Sequence, residues 1–343
     1  VAYMRLGEQK NCIALHTAES CIFPIQQGGW YQVTDPTKVA VDLWLEILKE
    51  NPDDLTSMFL LNIAYMNLGQ YPNGVPAEYR INPEEFKSSY DIGRFVNIAG
   101  NLGIDFITAS GGVCVEDFNN DGNLDIIASG WFLNEQVKVM FNNGDGTFKD
   151  VTETSTLKGI TGGLDMKCAD YNNDGWMDIL IPRGAWWNDF GKLPASLIRN
   201  NGDGTFTDVT YETGLMEHLY PTQASVFADF NNDGWLDIYF GNETRRDTEK
   251  YPCELFLSDG KGKFKNVAKE AGADILCFAK GVAASDYNND GYMDICISSQ
   301  GTENILLRND TGKNSGKIKF TDVTKEAGVG LPIKSFPVAF LDF

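Results

Sequence analysis

Two kinds of apolar spacing divide the chain. Residues 39–49 carry apolar side chains at helical spacing, and Pro52 closes the run. Residues 57–68 predict a second helix, ended by Gly69 and Pro72. The segments Ala2-Tyr-Met-Arg-Leu-Gly and Ala64-Tyr-Met-Asn-Leu-Gly are near copies. Pro72, Pro76 and Pro83 then predict an extended crossing. From residue 94 onward the pattern changes. Short apolar runs rich in β-branched and aromatic residues appear: Ile126-Ile127, Ile179-Leu180-Ile181, Ile238-Tyr239-Phe240 and Ile295-Cys296-Ile297. Runs of this length and composition predict strands.

Ahead of each run stands the same nine-residue pattern. Its copies are Asp117-Phe-Asn-Asn-Asp-Gly-Asn-Leu-Asp125, Asp170-Tyr-Asn-Asn-Asp-Gly-Trp-Met-Asp178, Asp229-Phe-Asn-Asn-Asp-Gly-Trp-Leu-Asp237 and Asp286-Tyr-Asn-Asn-Asp-Gly-Tyr-Met-Asp294. A fifth begins at Asp342. A second element keeps the same beat: Phe148-Lys-Asp-Val-Thr, Phe206-Thr-Asp-Val-Thr, Phe264-Lys-Asn-Val-Ala and Phe320-Thr-Asp-Val-Thr, with a weaker Phe95-Val-Asn-Ile-Ala at the start. The turns Asn142-Asn-Gly-Asp-Gly-Thr and Asn200-Asn-Gly-Asp-Gly-Thr precede two of these and fit hairpins. A unit of strand, aspartate loop, strand, long connection, strand, turn and strand has the size of a propeller blade. The expected fold is therefore mainly β. Residues 1–93 form a small helical domain and crossing, and residues 94–343 form four blades and the start of a fifth. Residue 1 lies inside a helical pattern and Phe343 inside a repeat, so the sequence reads as part of a longer one.

The nine-residue pattern suits a hard cation. Ca²⁺ takes roughly six to eight oxygen ligands. The expected side-chain donors are Asp117, Asn119, Asp121 and Asp125 in the first loop, and Asp170, Asn172, Asp174 and Asp178 in the second. They are Asp229, Asn231, Asp233 and Asp237 in the third, and Asp286, Asn288, Asp290 and Asp294 in the fourth. Position 7 offers a backbone carbonyl, from Asn123, Trp176, Trp235 and Tyr292. Position 6 is always glycine, as a sharp turn around an ion requires. An EF-hand is excluded, because its twelfth position should be glutamate. Here Ala128, Ile181, Phe240 and Ile297 stand there, followed by no helical pattern. A bare hairpin turn explains Asn-Asn-Asp-Gly but not aspartate at positions 1, 5 and 9 four times over. About four Ca²⁺ are expected per chain.

Composition supports the same assignment. The 343 residues hold 28 Lys and Arg against 48 Asp and Glu, a net charge of −20. Four Ca²⁺ would offset about eight of those negative charges. The acidity excludes a nucleic-acid partner and an anionic membrane surface. No stretch is long and apolar enough to predict a membrane span. Of seven cysteines, Cys12 and Cys21 are candidates for a disulfide, while Cys114, Cys168, Cys277 and Cys296 lie in apolar strand-like runs. Asn242-Glu-Thr and Asn309-Asp-Thr are glycosylation sequons. The histidines, His16 and His218, belong to no catalytic motif. A transition-metal site at Cys12, His16 and Cys21 is less economical than a helix cap beside a disulfide.

The loop and the Phe-x-Asp-Val-Thr element, recurring in step, resemble the FG-GAP or VCBS repeats, which are also found in integrin α-subunit propellers. Residues 1–93 resemble tetratricopeptide helices. The whole arrangement resembles the ASPIC/UnbV or cartilage-acidic-protein-like group. That resemblance implies a secreted or cell-surface protein, extracellular or periplasmic, and a calcium-stabilised interaction scaffold with no reaction. The expected role is binding or adhesion toward a protein or glycan ligand, or self-association. A structural subunit of an extracellular assembly is the alternative, and a propeller-based enzyme a further one. Trp131, Trp186, Trp187, Arg245 and Arg246 in the long connections are the candidate partner-binding residues, since Trp and Arg favour interface hot spots. Removing Trp186 and Trp187 is expected to spare the fold.

Overall fold

The computed structural model describes every residue except Ala14, His16, Ala18, Cys21, Ile22, Ser88, Asp91, Ile92, Arg94, Pro332, Ile333, Asp342 and Phe343, and the side chain of Ile13. The expectations for His16, Cys21 and Asp342, and with them the Cys12–Cys21 bridge, fall outside the described residues. The sulfur of Cys12 faces the Tyr31 hydroxyl at 3.6 Å. Contacts divide the chain into two compact units, Val1–Ile98 and Ala99–Phe343.

The first unit is helical. Helix α1 spans Ala2–Glu8, α2 Asp35–Glu50 and α3 Leu55–Asn67. Helix α2 starts earlier than apolar spacing suggests, because Pro36 sits at the helix start, where its missing N–H costs nothing. Asp54 caps α3, accepting from the Thr56 and Ser57 amides. Ala40, Val41, Trp44 and Leu48 of α2 pack on Leu61, Ala64 and Tyr65 of α3. Buried Asn62 ties the crossing down: its amide donates to the Met58 and Tyr79 carbonyls at 2.8 Å and accepts from the Ile81 N–H.

The second unit is mainly β and propeller-like. Its described residues form four antiparallel meanders of four strands each. The first holds β1 (Val113–Glu116), β2 (Asp125–Ala128), β3 (Lys138–Asn142) and β4 (Phe148–Asp150). The second holds β5 (Lys167–Ala169), β6 (Asp178–Ile181), β7 (Ser196–Asn200) and β8 (Phe206–Asp208). The third holds β9 (Thr222–Ala228), β10 (Asp237–Asn242), β11 (Glu254–Ser258) and β12 (Phe264–Asn266). The fourth holds β13 (Ala279–Ser285), β14 (Asp294–Ser299), β15 (Ile305–Asn309) and β16 (Phe320–Asp322). The weak motif at Phe95 forms no strand: Phe95 is 91 % and Val96 80 % exposed.

Successive sheets share cores. Ile179 and Ile181 face Ile127 and Val139 of the first sheet, while Leu180 between them faces Ile238 and Phe240 of the third. Tyr239 points the other way, toward Ile295 and Ile297 of the fourth. Strands β6 and β10 are thus covered on both faces, which is why their sequences run apolar without alternation. First strands also neighbour one another, β1 beside β5, β5 beside β9 and β9 beside β13.

The two repeated motifs meet across sheets. The position-2 aromatic of one loop packs on the phenylalanine opening the last strand of the next sheet. Phe118 lies 6.3 Å from Phe206, Tyr171 5.9 Å from Phe264 and Phe230 5.8 Å from Phe320. Burying each such ring stabilises by about 1.5–3 kcal/mol. The rest of Phe-x-Asp-Val-Thr closes the sheet. Asp208 accepts from the Thr210 amide and hydroxyl, and the Thr210 oxygen accepts from the Leu197 amide on β7. Asp322 and Thr324 repeat this arrangement on Leu306.

Candidate functional site

Each aspartate loop joins the first two strands of its sheet. Position 9 is the first residue of the second strand and pairs with the last residue of the first, as in Glu116↔Asp125 and Ser285↔Asp294. The polypeptide between them turns through left-handed backbone at position 4 (Asn120 φ 55°) and position 6 (Gly122 φ 88°), and the other three loops do the same. Asparagine tolerates that region and glycine enters it freely, which accounts for both residue types.

Hydrogen bonds give the four loops one geometry. In the first, Asp117 accepts from the Asp121 amide at 3.0 Å and the Gly122 amide at 2.7 Å. Asn119 accepts from the Asp121 amide, and Asp121 from the Asn123 amide. Asp125 accepts from the Phe118 amide at 3.1 Å and from the Asn142 amide, at the end of β3, at 2.8 Å. The same bonds recur on Asp170, Asn172, Asp174 and Asp178, on Asp229, Asn231, Asp233 and Asp237 and on Asp286, Asn288, Asp290 and Asp294.

Asp125, Asp178, Asp237 and Asp294 are fully buried. Burial pushes their carboxyls up, to about 7 for Asp178 and Asp237 and about 6 for Asp294. Backbone donors oppose that shift, and the other two aspartates of each loop add to it. Each loop is thus a polar, acid-rich turn whose carboxylates repel one another. Among the described residues no three Asp, Glu, His or Cys side chains converge into a ready-made metal cluster. The loop carboxylates accept instead from backbone N–H groups. The donor set is nevertheless all oxygen, and an ionised carboxylate can accept about four bonds, so each aspartate retains free lone pairs. In chemical type the residues fit a hard cation.

Position 4 has a role that motif reading missed. The Asn120 amide donates to the Gly175 carbonyl at 3.3 Å, Asn173 to Gly234 at 3.1 Å and Asn232 to Gly291 at 2.8 Å. Each of the first three loops is therefore tied to position 6 of the next. The signal was present, as asparagine stands at position 4 in all four copies. Position 7 also acts through its side chain. Trp176 covers Gly202, Trp235 covers Gly260 and Tyr292 covers Gly312. A Cβ on any of these glycines would fall 2.6 Å from the ring.

The partner-binding candidates lie at the opposite ends of the sheets, in connections between second and third strands. All but Arg246 pack against neighbouring side chains. Trp131 donates to the Ala185 carbonyl at 3.0 Å and its ring lies 5.7 Å from Trp187. Trp186 is half-buried, stacked on Phe336 at 5.8 Å and edge-on to Phe278 at 5.6 Å. The Lys280 ammonium sits 3.4 Å from the Trp186 ring centre. Sequence gave no sign of Lys280, which is buried and paired with Glu243 and Gln223. Burial pushes the Lys280 ammonium down to about 8 and the Glu243 carboxyl up, each offset in part by the other. Arg245 stacks on Phe278 at 4.3 Å, and Arg246 is exposed.

The sequons are corrected by the fold. Asn242 and Asn309 are fully buried. The Asn242 amide nitrogen donates to the Pro252 carbonyl and Glu254, and that of Asn309 to the Phe230 and Met293 carbonyls. A glycan on either nitrogen is incompatible with the folded chain. His218 pairs with buried Glu254 at 3.0 Å. Among the described residues no helix is long and apolar enough to cross a membrane.

Four meandering sheets, each opened by the same aspartate loop, define a repeat protein, and residues 117–181 and 185–240 match the FG-GAP-like repeat. The chain carries FG-GAP-like repeats over these residues. It is 25 % identical over 264 residues to cartilage acidic protein 1 of Xenopus tropicalis, covering 71 % of this chain and 36 % of the relative. It is 24 % identical over 285 residues to the Homo sapiens protein of that name, covering 78 % and 40 %. The Mus musculus protein is 24 % identical over 258 residues, covering 71 % and 36 %. The chain is thus similar to cartilage acidic protein 1 of three vertebrates, and aligns to well under half the length of these relatives.

Proposed function

We propose that this chain is a calcium-stabilised extracellular scaffold that binds a protein or glycan and catalyses no reaction. The four sheets act as blades around an axis lined by β1, β5, β9 and β13. One Ca²⁺ in each aspartate loop would neutralise the carboxylates at positions 1, 5 and 9. The observation that carries this reading is the fourfold oxygen-rich loop joined to its successor by the position-4 asparagine. A charge-neutralising ion in one loop then stiffens its neighbour. Similarity to cartilage acidic protein 1 supports an extracellular setting.

The test is a thermal melt with calcium and with excess chelator, beside metal analysis of the purified chain. Ligand at one hundred times its Kd stabilises by about 2.7 kcal/mol per site. Four sites predict a fall of many degrees on chelation and about four Ca²⁺ per chain. An unchanged melt and a metal-free protein would reduce the loops to hairpin turns.

A further inference from the structure

At the end of the sheets away from the aspartate loops lies a cavity of about 740 Å³. Its wall includes Trp186, Arg245, Arg246, Lys250, Phe278 and Gln300. Three cations line one cavity in a chain of net charge −20, and no carboxylate shares the wall. Among the described residues none of the three has an acidic side chain at ion-pair distance. The acids nearest in sequence are Asp247, which is exposed, and Glu249, which is bound to Lys192 at 2.8 Å. Glu243, beneath the cavity, is held by Lys280 and by the Trp186 amide. The positive charge of the wall is therefore in surplus.

Two buried polar atoms there lack a partner: Arg245 Nε, a donor, and Gln300 Oε1, an acceptor. Buried polar groups are rarely left unmet, because each costs about 1–3 kcal/mol. A bare anion would satisfy the donor and leave the acceptor. A ligand with both an oxyanion and a hydroxyl satisfies both. The remaining wall is mixed: Phe278, Trp186 and exposed Leu276 stand beside Thr244 and Thr302. That suits a ligand bearing both C–H and hydroxyl groups, and the volume is within the usual range for small-ligand sites, about 300–1,000 Å³.

We infer that this cavity binds an acidic saccharide. Its carboxylate or sulfate lies against Arg245, Arg246 and Lys250, and a ring hydroxyl donates to Gln300. The inference rests on the binding-scaffold reading and names the ligand class for it. It does not depend on calcium in the loops.

The experiment is calorimetric titration of the whole chain in calcium and in chelator. The probes are a sulfated glucuronate-containing disaccharide, its desulfated form, neutral lactose and inorganic sulfate. At least one acidic disaccharide should bind at least tenfold more tightly than both lactose and sulfate, and the pair shows whether sulfate or carboxylate is read. Arg246→Glu with Lys250→Glu, both at exposed positions, should weaken binding at least tenfold while leaving the melting temperature in place. Gln300→Leu should weaken the disaccharide and leave inorganic sulfate unchanged. Lys158→Ala, outside the cavity and paired with exposed Glu153, should change nothing. No acidic-disaccharide binding at millimolar concentration, equal binding of lactose, or indifference to charge reversal overturns the proposal. Sulfate binding as tightly as the disaccharides overturns the saccharide assignment. Saccharide binding that persists without any calcium-dependent melt would sink the calcium reading and leave the cavity assignment standing.

Discussion

Asn200 is the most informative single side chain to remove. It begins the Asn-Asn-Gly turn, where sequence alone suggests a local role. In the fold it is 1 % exposed, and its amide reaches 82 residues back to the Phe118 carbonyl at 2.8 Å. The same nitrogen lies 3.3 Å from the Met177 carbonyl, and its oxygen accepts from the Gly202 amide at 3.0 Å. Asn200→Ala therefore strands the carbonyl of Phe118, a residue with no solvent exposure. That costs about 1–3 kcal/mol. The Met177 and Gly202 groups are partly accessible, so water recovers some of their loss. The expected total is about 2–4 kcal/mol. The assay is equilibrium urea unfolding in excess calcium, followed by tryptophan fluorescence. Two neighbours calibrate it. Asn201 is exposed and bonds within its own turn, so Asn201→Ala should cost under about 1 kcal/mol. Ser258, the counterpart in the third sheet, accepts only from Gly260, so Ser258→Ala should fall between the two. An Asn200→Ala midpoint no lower than that of Asn201→Ala would refute the reasoning, because the inter-sheet bond would then hold nothing together.

Further outcomes follow from other contacts. Asp233→Ala should remove about one calcium by metal analysis and leave the other loops loaded; loss of all four would mean a shared cluster. Lys280→Met leaves the buried Glu243 carboxylate unpaired and should destabilise by about 3–5 kcal/mol in urea, whereas adding Glu243→Gln should recover much of it. Trp186→Ala deletes a ring packed against Phe278, Phe336 and Lys280, so it should cost about 2–3 kcal/mol rather than spare the fold. A melt unchanged by that substitution would mean that the ring belongs to the surface.

The sheets were legible because the repeat carries its own physics. Apolar runs after each aspartate loop became β2, β6, β10 and β14, and each Phe-x-Asp element opened a fourth strand. The failures share one cause. Sequence shows what a residue is near in the chain, and these residues act on the next sheet. Asn242 and Asn309 satisfied a surface pattern while their amides were committed to buried carbonyls and a buried carboxylate. For Trp186, in a connection, sequence left exposure and packing between blades equally open, and the fold stacks it on Phe336. Phe95 copies the repeat without a preceding position-2 aromatic to receive it, and it forms no strand.

That last comparison explains why the two motifs keep one beat. The loop and the Phe-x-Asp element of the same sheet do not pair ring to ring; each pairs with its counterpart one sheet away. The position-4 asparagine and its glycine carbonyl obey the same rule, as do Asn200 with Phe118 and Asn309 with Phe230. A change in any one unit is therefore felt by its neighbour as well as by itself. Stability in such an array is mostly an interface property. All three links lie at the aspartate end of the sheets, where strands one and two and strands three and four are joined. The opposite end carries the long second-to-third connections and the links from each fourth strand to the next sheet. Composition can vary there without breaking the array, and that is where surplus positive charge gathers around Arg245, Arg246 and Lys250.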